Sequence, residues 1–262
     1  MNMRLSNIEL GRIICMFLII AHHACIHGGA VQHAMGFNQL LAVFLLPGGK
    51  IGFVTFVVIS TWFLVDKNFK WDRFIKTWLQ VLFYSVLFAS VAVAFGAHLN
   101  LRNWLSIFFP IAGNSHGFAA TYLAFYLMIP FLLIVARRLS VVQFKFLIAI
   151  LFYYQIVSRM LAVIFDYHAN ILSSEVTLFV LLYFISYYLK NYTNVLSESI
   201  GYYALRAIIV WLLVVGISLW NILVSSDVSK VFALLATDES SVLYLWGGIF
   251  ILFCIHEDEC QI

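Results

Sequence analysis

Long uninterrupted apolar runs decide what this chain can become. A bilayer core takes about 20 predominantly apolar residues per crossing helix. Eight stretches approach that length: roughly 12–31, 48–65, 77–97, 118–136, 146–165, 175–190, 206–224 and 241–256. A membrane barrel would instead need ~10-residue strands alternating apolar and polar side chains, and these runs do not alternate. Hydrophobic residues make up 64% of the chain and charged ones 10%, against about 45–50% and 25% in soluble domains. A soluble fold of this length cannot hide so much apolar surface, so lipid has to cover it. The expected fold class is all-α: a polytopic transmembrane helix bundle of about eight spans, forming one domain over residues 1–262. The runs 40–47 and 103–112 are expected to be interfacial or re-entrant pieces. The 25 Phe, 13 Tyr and 7 Trp suit apolar helices with aromatic belts at both interfaces.

Lys and Arg set the expected orientation. With the N-terminus inside, the cytoplasmic set is Arg4, Arg12, Lys67, Lys70, Arg73, Lys76, Arg137, Arg138, Lys145, Lys190 and Arg206, eleven of the fifteen basic residues. Lys50, Arg102, Arg159 and Lys230 remain. The loop 225–240, with Asp227, Asp238 and Glu239, suits the outer face. The polar end of the first run, His22 to Gln32, lacks the small-residue cleavage pattern of a signal peptide. Cys15, Cys25, Cys254 and Cys260 have neither disulfide-framework nor metal-ligand spacing, and no metal is expected.

The first helix is the most informative. It carries Arg12, His22, His23 and His27, with Glu9 just before it, and ionisable groups inside a membrane are functional candidates by default. Arg12 and His23 are eleven residues apart. At 100° per residue they share a face to within ~20°, separated by a rise of about 16.5 Å. Glu9, Met16, Ile19 and His27 extend that stripe, while His22 points about 100° away. The stripe is read as linking the cytoplasmic surface to a buried imidazole near the midplane. Histidine titrates near neutrality and can take a proton from an attacking hydroxyl. A structural histidine bonded to a neighbouring helix is the competing reading.

The run Asn7-Ile-Glu-Leu-Gly-Arg12, ten residues, then His23 resembles the start of the acyltransferase 3 family of bacterial membrane acyltransferases. Its hallmark is Arg, ten residues, His in the first helix. Gly49-Lys-Ile-Gly-Phe-Val-Thr-Phe-Val-Val-Ile-Ser60-Thr-Trp-Phe-Leu64 resembles the family's second-helix block, with Ser60 matching and Thr61 in place of the usual Gly. Lys70-Trp-Asp-Arg73-Phe-Ile-Lys76 resembles its basic Arg-x-x-Arg segment, with Lys at the second place. Phe109-Pro110, Asn114, Tyr122 and Pro130 are similar to residues of the polysaccharide-modifying branch, whose aromatic pair is replaced here by Ser115-His116-Gly117.

The resemblance implies a ten-helix fold, a cytoplasmic acyl-CoA donor such as acetyl-CoA, and transfer of the acyl group, commonly as O-acetyl, to a cell-surface or exopolysaccharide sugar. It implies a bacterial plasma membrane. The implied site has His23 as general base or transient acyl carrier and Glu9 orienting Arg12. Ser60 is placed at His23 or at the carbonyl oxygen. Arg12, Arg73 and Lys76 are placed on the CoA phosphates. Expected partners are acyl-CoA, a polysaccharide or lipid-linked sugar, and the bilayer; nucleic acid is not among them. Eight visible spans against ten, and the polar tail Cys254-Ile-His-Glu-Asp-Glu-Cys-Gln-Ile262, suggest an incomplete C-terminus. Two other classes stay open: a glycan transporter or flippase, and an inactive acyltransferase remnant acting as a membrane scaffold. Arg159 is read as structural, with Asp166 or Glu175 as partner, and His116 and His168 as loop residues at the outer face.

Overall fold

A computed structural model of the chain describes residues 6–33, 35–65, 67–109, 117–158, 174–193, 200–224 and 248. In chain order the elements are α1 (Ser6–His27), α2 (Ala30–His33), α3 (Phe37–Leu64), α4 (Trp71–Ala94), α5 (Leu101–Phe108), α6 (Gly117–Arg138) and α7 (Val141–Phe152). A π-helical turn (Tyr153–Val157), α8 (Glu175–Tyr192) and α9 (Ile200–Val224) follow. Among the described residues there is no strand. Among the described residues four helices are long and apolar enough to cross a membrane: Ile8–His27 within α1, α3, α4 and α6. Shorter apolar helical stretches run Val141–Gln155 and Gly201–Gly216. The all-α membrane bundle is therefore observed. The expected spans 12–31, 48–65, 77–97, 118–136, 175–190 and 206–224 all fall on helices, with shifted ends. Residues 159–165 of the span 146–165, and 241–256 apart from Gly248, lie outside the described residues.

The boundaries have local causes. The chain stops α1 at Gly28-Gly29, where Gly29 has φ 70°, a conformation that side-chain-bearing residues avoid. Gly96, at φ 92°, ends α4: its N–H donates to Val93 O at 2.9 Å and Ala97 N–H donates to Ala92 O at 2.9 Å. This is the Schellman pattern that satisfies orphan carbonyls. Asn100 caps α5 by accepting from Asn103 N–H at 2.9 Å, and Ser174 caps α8 by accepting from Thr177 N–H at 3.2 Å; both types are favoured caps. The short α5 covers the first part of the run 103–112, expected as an interfacial or re-entrant piece, and 110–112 lie outside the described residues. The other such expectation, 40–47, is corrected: these residues are the first turns of one 28-residue helix, α3. Pro47 lies inside it. A proline removes one backbone hydrogen bond, which transmembrane helices tolerate.

Two compact units divide the chain: Met1–Phe63 with Phe144–Ile262, and Leu64–Gln143. In the first, α3 is buried almost all round, from Ala42 through Trp62, the pattern of a central helix. Buried α8 residues Leu178 to Phe184 match it. The two helices are joined by Thr61 and Ser186, whose hydroxyls lie 2.8 Å apart, and by Phe53 against Phe179. Lys190 Nζ donates to Trp62 O at 3.4 Å. Phe144 of α7 packs on Phe184 and Tyr187 of α8. Trp211 of α9 meets Phe44 of α3. Three α3 glycines admit close neighbours: a Cβ at Gly48 would stand 3.0 Å from Trp211, one at Gly52 2.9 Å from the Cys15 carbonyl, and one at Gly49 would run into His22. In the second unit Tyr126 of α6 accepts from Lys70 N–H at 3.3 Å and packs on Phe69, tying the start of α4 to α6.

Candidate active site

The faces of α1 explain where its polar residues go. Ile8, Gly11, Cys15, His22 and Cys25 are buried. Their spacing of 3, 4, 7 and 3 keeps them on one stripe of a 3.6-residue helix. That stripe meets α3 at Gly49 and Gly52, because small residues let helix backbones approach closely. The stripe predicted to carry chemistry lies roughly a quarter-turn away. Along it, Glu9, Met16, His23 and His27 are exposed, and Arg12 and Ile19 are half-buried.

At one end of the exposed stripe, Arg12 Nη1 donates to Glu9 Oε1 at 3.0 Å. The Arg12 guanidinium also lies over the Phe63 ring, 5.9 Å from its centroid. Its Nε is buried with no hydrogen-bond partner among the described residues. At the other end, His23 stacks on His27, with centroids 5.4 Å apart and planes within 10°. His22 approaches His23 nearly at right angles, with centroids 5.6 Å apart. Lys50, from α3, lies close enough for its charge to act on both His22 and His23.

The expectation of a buried imidazole at His23 is corrected. The buried imidazole is His22, 4% exposed, with Nδ1 2.6 Å from Leu46 O. The cause is the 100° between successive helix residues: α3 packs against the small-residue stripe, and His22 sits on it. Ser60 is half-buried and donates to Phe56 O at 2.9 Å, so its proton is spent inside its own helix. Thr61, where the family block has Gly, is fully buried and bonds Ser186; it links helices across the gap a glycine would leave.

A family model described as an acyltransferase domain matches residues 5–258, nearly the whole chain. The chain belongs to the acyltransferase 3 family. No curated protein and no solved structure matches it. In this acyltransferase the Arg12 to His23 spacing therefore sits on a helix face that exposes His23 and leaves Arg12 half-buried.

In the second unit, Arg73 and Lys76 are exposed in the first turns of α4. Asp72 shares that first turn. Cations at a helix start oppose the helix dipole, so these two charges do not stabilise the start of α4. Tyr122 stacks on Tyr126 in α6, and Pro130 lies inside that helix. Pro110, Asn114, His116, Arg159, Asp166 and His168 lie outside the described residues. Sequence reasoning passed over Gln155. It is wholly buried in the π-helical turn, and its amide nitrogen and oxygen have no hydrogen-bond partner among the described residues. An amide inside an otherwise apolar run was the available signal.

Proposed function

We propose that this acyltransferase moves an acetyl group from cytoplasmic acetyl-CoA to a hydroxyl of a cell-surface or exopolysaccharide sugar, in a bacterial plasma membrane with the N-terminus cytoplasmic. A ring nitrogen of His23 takes the hydroxyl proton as the sugar oxygen bonds to the thioester carbonyl carbon. The C–S bond then breaks, and the CoA sulfur leaves with the proton from the imidazolium. An acyl-imidazole relay on His23 is the same transfer in two steps. Glu9 holds Arg12 for the donor at the cytoplasmic end of the α1 stripe. Arg73 and Lys76 neutralise CoA phosphate, for which an exposed helix start with two cations is suited. Ser60 reaches the carbonyl oxygen as a donor only if its hydroxyl rotates away from Phe56 O.

The observation that carries this reading is the accessible, stacked His23 on the helix face that also bears the Glu9–Arg12 ion pair, in a chain of this family. A general base has to reach the proton it removes, and an exposed imidazole can. The test is release of free CoA thiol from acetyl-CoA by membranes containing the chain, with and without host-cell polysaccharide. Thiol release that rises with polysaccharide supports the reading; none with acetyl-CoA and some with succinyl-CoA moves the donor assignment.

A further inference from the structure

His22 has no part in the transfer described above, yet its setting is more specific than helix packing requires. A polar ring in an apolar helix interface costs free energy unless bonded; a Leu or Met would fill the same seat without that cost. The Leu46 carbonyl only accepts, so at 2.6 Å the His22 Nδ1 carries the proton, and the ring is held in one tautomer and one orientation. A helical carbonyl has a second lone pair for this contact. Gly49 shapes the seat, since a Cβ there would run into the ring. Neighbouring helix residues project about 100° apart, and their rings meet only when both rotamers bring them together. Here they do, at 5.6 Å and 78°, while His23 also stacks on His27 at 5.4 Å. An exposed imidazole without such contacts would sample several rotamers. Catalytic groups have to be held within about 10–20° of their productive direction.

We propose that His22 is a positioning residue for acyl transfer: anchored by the Leu46 carbonyl in the Gly49 seat, its ring fixes the direction of the His23 imidazole. This rests on the reading of His23 as the base or relay. The variant that separates positioning from packing is His22→Asn. The Asn amide nitrogen stands near the place of Nδ1 and keeps the tether to Leu46 O, but leaves no ring against His23.

The experiment measures kcat and KM for labelled acetyl-CoA in membranes with host-cell polysaccharide, for the wild type, His22→Asn, His22→Phe and His23→Ala. His22→Asn is expected to insert normally, keep KM within about twofold and lose kcat by roughly tenfold or more, since small misplacements of reacting groups cost up to about 100-fold. His22→Phe keeps a ring but loses the tether, and is expected to lose kcat several-fold at unchanged KM. It decides the matter if His22→Asn fails to insert. Wild-type kcat in an inserted His22→Asn overturns the positioning role while the acyltransferase reading stands, as does wild-type kcat in His22→Phe. A wild type that transfers no label overturns both, and so does an undiminished His23→Ala.

Discussion

His22 and His23 are adjacent in sequence and opposite in circumstance. His22 lies on the stripe of α1 that packs into the glycines of α3, buried and bonded to Leu46 O. His23 lies on the neighbouring stripe, exposed, stacked on His27 and in line with Arg12 and Glu9. One face is built by close packing and the other is left largely exposed. A buried polar group needs its partner within the fold, whereas a base needs an approach for its substrate. Under the proposed function, the contrast teaches that the cost of burial is not what marks the reactive residue. The bonded imidazole is already satisfied, and the accessible one is available.

The comparison is broken most severely by removing the open face. His23→Ala is expected to cut acetyl transfer by about 10²- to 10⁴-fold, the usual worth of a positioned general base. Thermal unfolding in detergent should be nearly unchanged, because exposed substitutions seldom move stability. The packed face responds in the opposite sense. Gly49→Val places atoms where His22 stands and is expected to lower stability by roughly 1–3 kcal/mol, as overpacking does, read as a lower Tm. Transfer should fall with it in membranes where the variant still inserts.

Smaller effects sharpen the account. Arg73→Ala with Lys76→Ala is expected to raise the KM for acetyl-CoA about tenfold with kcat nearly constant, the sign of lost ground-state binding. A salt titration should show the wild-type KM rising toward the variant's, since exposed charges are screened. Smallest is Thr61→Val, which keeps volume and deletes the Thr61–Ser186 bond. Interhelical bonds of this kind average about 0.6 kcal/mol, so a slight fall in Tm with unchanged transfer is the expected result.

Much of this was legible in the amino-acid order. The apolar runs placed α1, α3, α4, α6, α8 and α9, because burial in lipid demands length and apolarity and little else. Helical periodicity put Arg12, Glu9, His23 and His27 on one face, where they are found. Periodicity could not say which face turns to a neighbour. That depends on Gly48, Gly49 and Gly52, thirty residues on, whose missing side chains admit α1. For the same reason the sequence alone points to His23 as the buried histidine, where the fold buries His22. The expected second span starts at 48, whereas α3 starts at Phe37 and runs through Pro47, a lost backbone bond that transmembrane helices tolerate. The Ser60 proton was also invisible, since bonding to a carbonyl four residues back is a rotamer choice.

The central claim is that the open face of α1 performs the transfer. The most direct measurement is transfer of radiolabelled acetyl from acetyl-CoA to host-cell polysaccharide, in membranes holding equal amounts of inserted wild type or His23→Ala. The account predicts label on the polysaccharide with the wild type and loss of at least 99% of it with the variant, a 100-fold fall at the low end of general-base catalysis. Equal labelling by the two chains would contradict it.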